Sequence, residues 1–83
     1  MYVVAIHNIA DPQKFWAAVQ ATAIPEAITL HNVLPDTSGS KAVCLWEADT
    51  QDTVSTFVNG VVGHYSNNGF FEVGAANAVG LPS

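Results

Sequence analysis

Two histidines, one cysteine and one carboxylate carry most of the chemical capacity of this chain: His7, His31, Cys44 and Glu72. Imidazole, thiolate and carboxylate together make a donor set suited to nickel, zinc, cobalt or copper. No C-x-x-C, H-x-x-H or H-E-x-x-H spacing is present, so these groups meet only if separate strands bring them together. Each also has a plainer role. A cysteine in an apolar strand is commonly a small buried hydrophobe, and a strand histidine is commonly hydrogen-bonded in a core or interface. A Cys44 nucleophile activated by His31 is a further arrangement, but a mid-strand cysteine lacks the helix N-terminus or electropositive setting that sustains a thiolate. Trp46 adds an indole suited to packing or to lining a ligand pocket. His64 and Tyr65 fall in the polar run 63–69, which reads as a turn that could also guard a pocket mouth.

Composition narrows what these residues can serve. Eighty-three residues, 49% hydrophobic and 11% charged, make one small domain rather than a disordered tail or a fibre. A domain this small buries a thin core and usually gains support from disulfides, a metal or a partner subunit. One cysteine excludes an intrachain disulfide, which leaves a metal or a second copy. Lys14 and Lys41 are the only basic side chains against seven acids, for a net charge of −5. That balance excludes nucleic-acid binding, which requires several cations on phosphates, and attachment to an anionic membrane surface. Without arginine there is no bidentate fork for a phosphate or carboxylate substrate. No apolar run reaches membrane-spanning length, and residues 1–7 have no basic start of a signal peptide, so the expected location is cytoplasmic.

The elements that must position the donors follow from pattern. Residues 2–8 read as a β-branched first strand. Asp11-Pro12 reads as an N-cap followed by a first-turn proline, with Phe15, Ala18 and Val19 at helical spacing and Pro25 as a stop. Residues 27–34 form a second strand, 35–40 a turn and 41–47 a third strand, the pair making a hairpin. Asp49 or Thr50 caps a second helix in which Val54, Phe57, Val58 and Val61 recur on one face, with Asn59-Gly60 and Gly63 as stops. Residues 70–73 make a short fourth strand and 75–83 a tail. The order βαββαβ is that of ferredoxin-like α+β folds: a four-stranded antiparallel sheet, order 4-1-3-2, with two helices on one face.

Alternation splits each strand into two sets. Tyr2, Val4, Ile6, Ile28, Leu30, Leu34, Val43, Leu45, Phe71 and Val73 make the more aliphatic set, expected under the helices. A register placing Cys44 opposite His31 gathers Val3, His7, Thr29, His31, Cys44, Trp46, Phe70 and Glu72 on the opposite face. That face is too apolar to stay wet, so a second copy is expected to cover it as a homodimer, with the tail crossing to the partner.

The stretches Leu30-His31-Asn32-Val33-Leu34-Pro35-Asp36 and Lys41-Ala42-Val43-Cys44-Leu45-Trp46-Glu47-Ala48, with the Gly-x-x-Ser-x-Asn run before Phe70, resemble a family of small bacterial domains of unknown function. That family includes a nickel-binding member and has a ferredoxin-like, dimeric α/β-barrel fold. The resemblance spans residues 2–73 and implies that His31 and Cys44 occupy the family's recurrent His and Cys positions.

Three functions remain. The first is a homodimer that binds a transition metal, nickel or zinc, through His7, His31, Cys44 and Glu72. The second is a cofactor-free enzyme or binding protein for a small apolar molecule inside the barrel, with Trp46, His64 and Tyr65 around the ligand; the barrel analogy rests on fold alone. The third is a structural or accessory dimer with a packed interior.

Overall fold

The first helix begins where Asp11 turns the chain. Its carboxylate accepts from the Lys14 backbone amide at 3.1 Å, and Pro12 takes the first helical position, where its missing N–H leaves nothing unsatisfied. In this computed structural model, which describes residues 1–82, the element order is β1 (Tyr2–Ile9), α1 (Pro12–Ala21), β2 (Thr29–Pro35), β3 (Lys41–Glu47), α2 (Gln51–Val62) and β4 (Ser66–Glu72). Of the two residues that could cap α2, Thr50 does so, its side chain accepting from the Thr53 amide at 3.2 Å. The strands pair antiparallel in the order β2-β3-β1-β4. This is the four-stranded ferredoxin-like α+β sheet with two helices.

The β2–β3 turn is held by Asp36. Its carboxylate accepts from the Ser40 and Lys41 amides at 3.0 and 3.2 Å and from the Ser38 hydroxyl at 2.9 Å. Those donors hold the carboxyl below its usual range, the Ser38 hydrogen bond most of all. Gly39 sits at φ +77°, a left-handed conformation that closes the turn, and its carbonyl receives the Trp16 indole N–H at 3.0 Å.

The helices cover the face of the sheet opposite to the one expected. Val3, Ala5, His7, Ala42, Cys44 and Trp46 are buried there, against Phe15 of α1 and Val54, Val58 and Val62 of α2. The reason is size. The small Ala5, Ala42 and Cys44 leave room beside Trp46 and His7 for Phe15 and the α2 valines, and an interior packs to uniform density rather than by counting aliphatic carbons. Much of the more aliphatic set lies open, with Ile6 at 41%, Val43 at 39%, Leu34 at 60% and Phe71 at 49% exposure, whereas Ile28 is buried and Leu30 turns toward the helices.

The hairpin register also differs from the expected one. Cys44 pairs with Val33, not His31, and a bulge falls between Leu30 and Asn32. The extra residue reverses the alternation along β2, so Leu30 and Val33 both pair with inward residues while His31 turns outward. β4 starts at Ser66, four residues before the expected strand, and takes up part of the polar run read as a turn. Asn68 pairs with inward-facing His7, and its amide finds a polar partner there. The tail folds back on its own chain: the Tyr2 hydroxyl donates to the Pro82 carbonyl at 2.8 Å, and Ser83 lies outside the described residues. Among the described residues, no helix is long and apolar enough to cross a membrane.

Candidate functional site

His7 and Cys44 reach one space because β1 and β3 are adjacent and aligned. Ala5 pairs with Cys44 and His7 with Ala42, so both reactive side chains point to the helix-covered face. Trp46 follows two residues on, on the same face, and β2 contributes Leu30 and Val33. Helix α1 closes the space with Phe15, Trp16 and Val19, and α2 closes it with Phe57, Val58 and Val61. Between these layers lies a cavity of about 70 Å³ whose lining includes Ile24 and Val33, both exposed at its rim.

The walls are nearly all apolar, and the polar groups among them are few. His7 Nδ1 lies 2.6 Å from Asn68 Oδ1; an amide oxygen only accepts, so the ring proton sits on Nδ1. Burial lowers the His7 pKa, partly countered by the Asn68 hydrogen bond. Phe15 meets the imidazole edge-on at 5.4 Å between ring centroids. Burial pushes the Cys44 thiol up to about 11, so it sits there as a neutral S–H, with no cation or helix terminus to make it a nucleophile. The Trp46 ring packs against Phe57 at 5.9 Å. Its Nε1–H is buried and has no hydrogen-bond partner among the described residues.

The four expected metal ligands do not converge. His7 and Cys44 share the helix-covered face, but His31 stands on the open face, where its Nε2 lies 2.8 Å from Glu47 Oε1 and its ring packs near Tyr2. The bulge in β2 puts it there. Glu72 pairs with Val3, four residues along β1 from His7, roughly 13 Å at strand rise, and is exposed. Among the described residues, no three His, Cys, Asp or Glu side chains are placed to hold a metal ion together. Of the expected ligand-binding residues, Trp46 lines the cavity, whereas His64 is exposed and Tyr65 half-buried, with neither in its wall.

Sequence reasoning missed two contributors. Asn68 falls in the polar run 63–69, which pattern alone assigns to a turn; its position opposite His7 in an antiparallel pair is the signal that finds it. Phe57, Val58 and Val61 were seen as a helical stripe, but as packing alone. Which sheet face that stripe covers decides whether it lines a pocket. No family model, curated protein or solved structure matches the chain.

Proposed function

We propose that this chain is a homodimeric binding module that takes one small apolar molecule per copy between its helices and its sheet. The observation that carries the reading is the cavity itself: an apolar space in a small domain, bordered by an imidazole, a thiol and two indoles. Binding sites for small molecules have this character, mostly apolar walls with a few placed polar groups. At about 70 Å³ the cavity suits a ligand of a few heavy atoms, below the roughly 150 Å³ that accommodates benzene in an engineered cavity.

The dimer half of the proposal rests on the open face. Ile6, Val43 and Leu34 sit side by side across three strands, with Phe71 one strand beyond at Val4. A second copy laid sheet to sheet buries this patch on both partners at once. The nickel or zinc reading lacks a comparable observation, since its donors stand on different faces.

Xenon, small and apolar, tests the pocket. Under xenon pressure the methyl resonances of Val19, Val58 and Val61 should shift and saturate, while those of Val43 and Leu34 stay near their starting positions. Equal, unsaturating shifts on both faces would contradict the reading and favour a packed structural dimer.

A further inference from the structure

We infer that the ligand is a small neutral alcohol whose hydroxyl donates to His7 Nε2 in the cavity wall; the inference rests on the pocket reading above. Two asparagines set that nitrogen's role. Asn68 Nδ2 donates to Asn59 Oδ1 at 2.9 Å, which leaves Asn68 Oδ1 to accept from His7 Nδ1 at 2.6 Å. The proton on Nδ1 makes Nε2 the bare, accepting nitrogen of the ring. Its direction follows from the sheet. β1 lies between β3 and β4, and Nδ1 faces Asn68 on β4. The two nitrogens of an imidazole point to opposite sides of the ring, so Nε2 faces away from β4. The cavity lies on that side: β2, β3 and both helices line it, His7 is its one residue from β1, and β4 contributes none. Nε2 has no hydrogen-bond partner among the described residues, yet Trp46 Nε1 is the one unpartnered side-chain nitrogen or oxygen there that is fully buried. The histidine nitrogen therefore keeps surface that an occupant can touch.

The other polar groups of the wall are committed or weak. The Trp16 indole N–H goes to the Gly39 carbonyl at 3.0 Å, and the Thr22 hydroxyl to the Ala18 carbonyl at 2.8 Å. Cys44 keeps its proton and is a poor donor. What the cavity offers is an acceptor, and an acceptor facing an apolar space is satisfied by an O–H. Charge narrows the class further. No Asp, Glu, Lys or Arg lines the cavity, and burial keeps His7 itself neutral. An ammonium would enter without a counter-charge, which is strongly unfavourable. A hydroxyl brings its donor without that penalty, and a space of about 70 Å³ holds only a few carbons beside it.

Butan-2-ol and butanone test this directly, for they share a carbon skeleton and an oxygen position, and only the alcohol donates. With the full chain and ¹H–¹⁵N titrations, butan-2-ol should bind about tenfold more tightly than butanone. In long-range ¹H–¹⁵N spectra of the imidazoles, the His7 Nε2 resonance should move with the alcohol while those of His31 and His64 hold still. In His7→Leu the preference should vanish; should that variant not fold, the two ligands on the unaltered protein still decide. Equal binding, tighter binding of butanone, an unmoved Nε2 resonance or a preference that survives His7→Leu overturns the alcohol inference and leaves the pocket reading standing. So does a proton found on Nε2 in the free protein. If neither ligand binds while xenon shifts saturate, the inference alone falls. If xenon gives no saturable shifts either, the pocket reading falls with it.

Discussion

The two faces of this sheet are built from the same four strands and do opposite things. The helix-covered face carries the smaller and more polar side chains, including Ala5, Ala42, Cys44 and His7, and is the buried one. The open face carries Val4, Ile6, Val43 and Phe71, and much of it remains accessible. Hydrophobicity alone would assign them the other way round. What decides is complementarity: Phe57 packs on Trp46 and Phe15 on His7 beside the small Ala5, Ala42 and Cys44, and His7 is tolerated there because Asn68 accepts its hydrogen bond. On the dimer proposed above, the open face is apolar for a second subunit rather than for its own helices.

The largest effect that can break this comparison comes from truncating one aromatic on each face. Phe15 is 2% exposed, and Phe15→Ala should lower stability by about 3–5 kcal/mol in urea unfolding. Such a loss consumes much of the stability of a domain this size. Phe71→Ala on the open face should change the stability of the separated chain by less than about 1 kcal/mol but weaken dimerisation in sedimentation. Comparable unfolding losses from both would show that the faces are not used differently.

A smaller effect sharpens the role of His7. Its folded pKa lies below that of the free imidazole because burial disfavours the charged ring. Below about pH 6.5 the unfolded chain takes up a proton that the folded chain resists, so stability falls with pH until the folded ring also protonates. The contribution is whole above the unfolded pKa and is lost as pH drops through the folded one. His7→Gln should flatten this pH dependence of the unfolding free energy, read by urea unfolding across the range where a free imidazole titrates. The smallest effect belongs to the His31–Glu47 pair on the open face: with Glu47 exposed, His31→Ala should cost less than about 1 kcal/mol by chemical denaturation.

The sequence carried the fold further than the site. Asp11-Pro12 marks the start of α1 because cap chemistry is local, and the strand order follows from the βαββαβ pattern. The division of β1 and β3 into alternating sets also holds, since period-two alternation is geometric. What could not be read was which set the helices choose, because that depends on volumes meeting across layers. The bulge at His31 was equally hidden: no glycine or proline announces it, yet one extra residue removes a histidine from the face it was expected to share with Cys44. The candidate site was legible as residues, His7, Cys44 and Trp46, but its walls came from helices assigned to the other side.

Neighbouring residues of β3 offer the most direct test of the two-face account. Thiol labelling rates would be followed on dilution for native Cys44 and for Val43→Cys in a Cys44→Ser background. Cys44, buried beneath the helices with its thiol pKa raised to about 11, should label slowly at every concentration. Position 43 should be protected at high concentration and become fast as the dimer separates. A Cys44 thiol that speeds up on dilution while position 43 stays slow would place the helices on the other face and contradict the account.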